Sequence, residues 1–319
     1  MSSPRYRAEA LTDFATNLLD KAGMENEKSK AVSEILVEGD LLGHNTHGLQ
    51  LLGPYLEEIG KGKLSTSGQP RVIADLPAAV AWDGMRLPGT WLTAKAVDLA
   101  CERAQTYGTC TVTVARGHHI ACLAAYLKRA TDRGLMVLLS SSDPDKRTVA
   151  PHGGRAGVFT PNPIAAGWPT HGDPVMLDVS MSITTNGMVG RLADEGGRLP
   201  GKWLIDADGK PTDDPLVMTR DPSGALLPVG GIEYGHKGYA LALAAEIVAE
   251  AMLGPTETEG SWLLLTLDTT IYREPSTLQR VAVEILDELR DCPPAPGFER
   301  VEIPGERERE HRERSIGQG

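Results

Sequence analysis

The chain has 319 residues, 41% hydrophobic and 24% charged, the profile of a globular protein large enough for an extended core. Its net charge of −11 argues against a nucleic-acid phosphate binder, which concentrates positive charge. No apolar run reaches the roughly 20 residues that span a bilayer. Met1-Ser2-Ser3-Pro4-Arg5 leads into an amphipathic pattern, and Cys101, Cys110, Cys122 and Cys292 form no CxxC pair. These features point to a reduced, cytoplasmic protein without a membrane partner.

Apolar spacing predicts helices over 7–22 and 26–42, with Leu11, Phe14, Leu18 and Leu19 on one side of the first. A polar turn, Gly43-His44-Asn45-Thr46-His47-Gly48, interrupts them. A third helix runs to Ile59, with a kink or a late start at Pro54. Then the pattern changes. Strands are predicted at 71–75 and 78–82, followed by a helix over 90–106 and a strand at 110–114. A helix over 119–132 and strands at 135–139, 157–160 and 175–179 continue an alternation that marks an α/β core. Residues 193–224, rich in Gly, Pro and Asp, read as an excursion over the surface. Helix 237–253 is apolar almost all round and is expected to be buried, and strand 262–267 and helix 277–290 follow. The acid–base alternation of 306–314 reads as a solvated helix face or a frayed end. We expect a mixed α/β (α+β) fold. A helical segment, 1–70, packs with 276–319, and 71–275 form the core.

Candidate chemistry centres on the polar turn. His47 lies between a hydroxyl and a glycine at a helix–loop–helix junction, where an imidazole can give or take a proton near pH 7. The plain alternative is a helix cap. No G-x-G-x-x-G follows a strand, so the usual dinucleotide fingerprint is absent. Gly230-Gly231-Ile232-Glu233-Tyr234-Gly235-His236-Lys237 is not a P-loop, because His236 separates Gly235 from Lys237. The glycines before a helix start, with Lys237 beside them, would nonetheless suit a phosphate, or else form a turn with a solvated Lys. Asp178-Val179-Ser180-Met181-Ser182 ends a strand and enters a hydroxyl-rich turn, where Ser182 or Thr184 could also start a helix. Thr160-Pro161-Asn162-Pro163 is a rigid turn with an amide to offer. A metal held by His44, His47 and His119 is conceivable through the H-x-x-H spacing, but no acid supports it, so none is expected.

Taken in order, these pieces resemble the malate/L-lactate dehydrogenase family, which includes L-sulfolactate, ureidoglycolate and diketogulonate oxidoreductases and cyclic-imine reductases. The matching residues are Thr46-His47-Gly48 with Tyr55, His119 with Tyr126, and Val149-Ala150-Pro151-His152-Gly153-Gly154. Pro161-Asn162-Pro163-Ile164 and Leu177 to Ser182 come next, followed by Leu227-Pro228-Val229-Gly230, His236-Lys237-Gly238 and Ile303-Pro304-Gly305-Glu306-Arg307. The resemblance implies NAD or NADP bound on a fold unlike the Rossmann fold, a small carboxylate substrate, and a homodimer with the active site near the subunit interface. It implies His47 as proton donor and His119 as a second active-site His, with Thr46 and Tyr55 beside them. The cofactor would meet Thr160, Asn162, Leu177, Asp178, Val179, Ser180, Met181, Ser182, His236, Lys237, Gly305, Glu306 and Arg307.

The departures bear on the substrate. The family Arg four residues beyond the first His is Leu51, which removes a natural partner for a substrate carboxylate. The family Ser two residues before the second His is Gly117, and Phe-Gly after it is Ile120-Ala121. Three readings follow: a dehydrogenase of 2-oxo and 2-hydroxy acids, a reductase of cyclic imine 2-carboxylates, and a non-catalytic nucleotide-binding member. Retention of both His47 and His119 weighs against the last.

Overall fold

The computed structural model describes residues 5–143, 147–251 and 260–318. Helices α1 (Ala8–Lys21) and α2 (Asn26–Leu41) form where the spacing predicts them. Short 3-10 turns, Asn45–His47 and Leu49–Leu51, lead into α3 (Leu52–Gly60). The third helix therefore starts late. Pro54 falls in its first turn, where a missing N–H breaks no helical bond.

Strands β1 (Arg71–Leu76) and β2 (Ala79–Asp83) precede α4 (Gly89–Tyr107) and β3 (Thr109–Gly117). Helix α5 (Ala124–Thr131) begins later than the expected 119, because 118–123 runs as a turn with Ala121 at φ 57°. After β4 (Met136–Ser142), the expected strand at 157–160 is only an isolated bridge between Phe159 and Val149. Pro161 and Pro163 lack the donors a ladder needs, and β5 (Ile164–Trp168) starts beyond them, followed by β6 (Val175–Val179). Helix α6 (Asn186–Asp194) is capped by Thr185, whose Oγ1 accepts the Met188 N–H at 3.1 Å, and not by Ser182 or Thr184.

The stretch 193–224 is more than a surface excursion. With β7 (Leu204–Ile205), β8 (Pro211–Thr212) and β9 (Ala225–Leu226) it forms a small sheet. Leu199, Leu204, Val217 and Leu226 pack there with Val149, Phe159 and Met181 as a second core. Helix α7 (Gly231–Glu246) begins before the expected 237 and continues into a π turn, Ile247–Ala251; Met252 lies outside the described residues. It is not buried all round: Leu241, Leu243 and Ile247 are exposed. Strand β10 (Gly260–Leu267), α8 (Pro275–Arg290) and α9 (Glu306–Gln318) complete the chain.

Among the described residues, seven strands form the main sheet in the order β1-β2-β3-β10-β4-β5-β6. Only β2 and β3 pair in parallel; the other neighbours are antiparallel. The N-terminal helices share one hydrophobic cluster with this sheet: Leu19, Val32 and Leu36 join Val112, Leu139, Trp262 and Leu264. Burying that apolar face is the main stabilising term. Lys28, fully buried, is paired with Glu25 and lies 4.2 Å from the Trp91 ring centroid, tying α2 to α4.

Asp83, at the end of β2, holds the turn that leads to α4. Its carboxylate accepts from Arg116 at 2.9 and 2.6 Å, from Arg71 at 2.8 Å and from the Met85 N–H at 3.1 Å. Burial works against the charge, but these donors hold the carboxyl below its ordinary range. A depressed folded value means stability present above the unfolded value, near pH 4, and lost as the pH falls through the folded one. Both guanidinium groups are partly solvated, so we expect Asp83→Asn to cost about 1–2 kcal/mol at neutral pH, measured by urea unfolding. The gap between the two proteins should close as the pH is taken below 4. An equal gap at acid pH would show that Asp83 does not act through its charge.

Candidate active site

The way α2 ends sets the direction of the His47 turn. Gly43 takes φ 83°, the Gly43 N–H donates to the Asp40 carbonyl at 3.0 Å, and the His44 N–H returns to the Gly39 carbonyl at 2.9 Å. This is a Schellman termination. The Asp40 carboxylate then accepts the Leu49 N–H at 2.8 Å, bridging helix and turn. A Cβ on Gly48 would stand 2.0 Å from Asp40 Oδ1, so the Thr46-His47-Gly48 turn needs glycine for room. Burial pushes the Asp40 carboxyl above its ordinary range, and the Leu49 bond partly offsets this.

Thr46 Oγ1 lies 2.9 Å from His47 Nδ1. A hydroxyl can donate or accept, so this contact survives either protonation state of the ring. The His47 and His119 rings stack with centroids 5.8 Å apart. Tyr55, one turn into α3, places its hydroxyl 2.8 Å from His119 Nδ1. The Ala121 N–H donates to the same nitrogen at 3.4 Å. An amide can only donate, so Nδ1 carries the lone pair and Nε2 the proton. Burial raises the Tyr55 phenol far above its ordinary range, so it stays protonated. The Ala121 amide thereby favours the Nε2–H tautomer of His119. His118, one residue earlier, is paired through Nε2 with Glu58 and meets the Tyr55 ring edge-on at 4.8 Å.

The His118–His119 segment is held by close backbone packing. The His118 N–H donates to the Leu87 carbonyl at 3.0 Å, and a Cβ on Gly89 would stand 1.9 Å from the His118 carbonyl oxygen. A Cβ on Gly117 would stand 2.2 Å from the fully buried Trp262 ring. That contact explains why no larger residue occupies position 117.

The stretch 177–182 reaches the same region. A Cβ on Gly187, just beyond it, would touch Thr46 at 2.9 Å. Asp178 caps α5, accepting the Ala124 N–H at 2.8 Å, and Cys122 Sγ lies 3.7 Å from the same oxygen. His44, Cys122 and Asp178 put donor atoms within 4.8 Å of one another. Burial, then the Asp178 charge, raises the Cys122 thiol well above its ordinary range. Leu177 and Ser180 are half-buried, Val179 is exposed, and Met181 and Ser182 are buried. The Ser180 hydroxyl lies 3.1 Å from that of Ser182. Thr160 is buried, and Asn162, at φ 46°, donates to the Ala242 carbonyl at 3.1 Å and to Glu246 at 2.5 Å.

Gly305, at φ 97°, packs on the backbone of Met176 in β6, and the Met176 N–H donates to the Pro304 carbonyl at 3.2 Å. The Glu306 carboxylate accepts from the Ile303 N–H at 3.0 Å and from Arg290 at 3.0 and 2.8 Å, while Arg307 is exposed. The helix expected to begin at Lys237 begins six residues earlier. Helix α7 starts at Gly231, so His236 and Lys237 lie inside it and not at its start. Gly235 and Gly238 are small because Pro228 and Val229 press against the helix, and Lys237 Nζ lies 5.7 Å from the Tyr234 ring centroid. The exposed His236 ring meets that of His152 at 5.6 Å.

A family model described as malate/L-lactate dehydrogenase matches residues 6–319. The chain belongs to the malate/L-lactate dehydrogenase family. It is 34% identical over 295 residues to an L-lactate dehydrogenase of Cupriavidus necator, covering 88% of this chain and 83% of that protein. The sulfolactate dehydrogenase structure from Methanocaldococcus jannaschii superposes with a TM-score of 0.86 at 25% identity, covering 97% of this chain and 91% of that one. A delta1-piperideine-2-carboxylate reductase from Pseudomonas syringae gives a TM-score of 0.85 at 25% identity, covering 99% and 96%. The chain is an oxidoreductase of this family, with a mixed α/β fold. Among the described residues no helix is long and apolar enough to cross a membrane.

Sequence reasoning missed Asp40, Glu58 and Gly89. Glu58 was within reach of it, since it stands three residues after Tyr55 on one face of α3. Asp40 and Gly89 act through contacts that no local pattern shows. We expect Gly89→Ala to destabilise the fold by about 1–3 kcal/mol and to shift the imidazole NMR signals of His118 and His119. Gly53→Ala, in α3 with open space around it, should move neither. Unmoved imidazole signals in Gly89→Ala would detach this packing from the site.

Proposed function

We propose that the protein transfers hydride between a nicotinamide cofactor and a small 2-oxo or 2-hydroxy acid, with His47 as the proton donor. The observation that carries this reading is the pair of stacked imidazoles, one beside a hydroxyl that tolerates either protonation state and one whose Nδ1 meets the Ala121 N–H, which favours a proton on Nε2. A bound reduced nicotinamide would supply the hydride. Hydride arriving at a C=O leaves an alkoxide too basic to persist near pH 7, and a general acid at that oxygen lowers the barrier by about 10²- to 10⁴-fold. His47 gives that proton, and Thr46 adjusts its hydroxyl as the ring changes state. The His119 Nε2–H steadies the oxygen without giving up its proton.

The residues assigned to the cofactor suit a dinucleotide without a Rossmann fingerprint. Ser180 offers a hydroxyl beside the exposed end of β6, and His236 and Lys237 are exposed donors for phosphates. The acid in the C-terminal stretch, Glu306, is already neutralised by Arg290, so it does not repel an anion. Thr160, Asn162, 177–182 and 305–307 complete the proposed set. It accommodates NAD or NADP.

A second reading, reduction of a cyclic imine 2-carboxylate, has support of its own. The Pseudomonas syringae structure is named for such a reductase, while Leu51, half-buried against the main core, offers no charge to the carboxylate of either substrate class. The same two imidazoles serve a C=N bond. We expect His47→Asn to cut turnover at least a hundredfold while leaving nicotinamide affinity within twofold, measured by NADH and NADPH fluorescence beside assays on 2-oxo acids and cyclic imines. A mutant that keeps most of its turnover would make His47 a cap.

We also propose a homodimer. Helix α8 has no buried residue among those described, although Leu278, Val281, Ala282, Ile285 and Leu289 line one stripe. Helix α7 and the π turn after it expose Ile232, Tyr234, Leu241, Leu243 and Ile247. Such faces call for a partner surface. Sedimentation at micromolar concentration should show a dimer, and replacing Leu241 and Ile247 with Lys should shift it toward monomer. An active wild-type monomer would refute this assembly.

A further inference from the structure

The charged C-terminal helix α9 touches the chain at both halves of the site. Its first residue, Glu306, follows Gly305, which packs on the β6 backbone. Further along, the His311 Nδ1 lies 2.8 Å from the Leu41 carbonyl. A carbonyl can only accept, so His311 donates there through Nδ1–H. Leu41 is the last residue of α2, and its carbonyl has no partner within the helix. The His311 ring also covers Gly43, where a Cβ would stand 3.3 Å from its Cγ. Arg312 pairs with Glu38 at 2.7 Å, and Glu308 lies 3.9 Å from His44 Nε2.

We propose that His311 is a positioning residue: from α9 it pins the α2 terminus at Leu41 and Gly43 and so sets the turn that carries His47. Gly43 is the residue at which α2 reverses, so a shift there moves the whole turn. The His47 N–H donates to the His44 carbonyl at 2.8 Å, which passes the shift to the imidazole that delivers the proton. A small displacement of a catalytic group lowers the rate more than it lowers binding. The effect on turnover rests on the hydride-transfer reading above; the effect on the turn does not.

The test compares His311→Ala, His311→Asn and Arg312→Gln in the full chain. The Asn side-chain amide nitrogen stands where His Nδ1 does, so it can restore the bond to Leu41. Arg312→Gln loosens α9 on the same helix without uncovering Gly43. We expect His311→Ala to lower kcat about tenfold with nicotinamide affinity within twofold, and to shift the His44 and His47 imidazole NMR signals. His311→Asn should recover most of the rate. Arg312→Gln should lower the melting temperature comparably yet leave kcat within twofold. Unmoved His44 and His47 signals in His311→Ala would overturn the positioning role, as would an Asn variant no better than Ala or an Arg312→Gln variant with the same loss of kcat. If His311→Ala does not fold, His311→Asn against Arg312→Gln decides, by kcat and the same signals. A wild-type protein inert toward every 2-oxo acid and imine would count against the proposed reaction alone, and the NMR comparison would still decide the role of His311.

Discussion

Where α2 stops, the Gly43 and His44 amides return to the last turn of the helix, and the Asp40 carboxylate reaches across to the Leu49 amide. Main-chain bonds therefore set the direction in which the His44–His47 segment leaves. Two glycines leave it the room it needs: Gly48 because Asp40 fills the space, Gly39 because a Cβ would stand 2.9 Å from the His47 carbonyl oxygen. On the other side, Gly89 admits the His118 carbonyl against α4. Two helix termini thus bring two imidazoles together. Loss of either close approach would move a ring before it disturbed the hydrophobic core, which lies deeper among α4, β3 and β10.

Much of this was legible in the sequence because local rules act there. The apolar spacing of α1 and α2, the breakers after α3 and the β1–β2 pair around Leu76-Pro77 all appear as expected. The polar turn at Thr46-His47-Gly48 stood out for the same reason. Glycines were harder to read, since the letter does not say whether it supplies a positive φ or room. Gly230 and Gly231 have φ of 95° and 61°, whereas Gly235 and Gly238 lie in helix and simply make space for Pro228 and Val229. Reading all four as conformational put the start of α7 too late. Gly117 shows the same difficulty at long range, because the reason for it is Trp262 in β10.

Charge patterning misled in a similar way. Alternating Glu and Arg over 306–314 reads as solvated, yet Glu306 is buried in a fork with Arg290 and Arg312 is paired with Glu38. The apolar stripe of α8 is the converse case, an amphipathic pattern in a helix with no buried residue among those described.

The two site imidazoles look interchangeable in sequence and are not so in three dimensions. A second proton on His119 would point Nδ1–H toward the Tyr55 oxygen at 2.8 Å but set it against the Ala121 N–H at 3.4 Å, which cannot accept it. Tyr55 could rotate its hydroxyl, but the amide is fixed by the positive φ of Ala121 and by the start of α5. His47 faces a hydroxyl at the corresponding nitrogen, which follows the ring through either state. The amide N–H beside the Tyr55 hydroxyl favours a neutral His119, whereas the Thr46 hydroxyl can follow His47 through either state. That asymmetry is what a reaction moving one hydride and one proton requires.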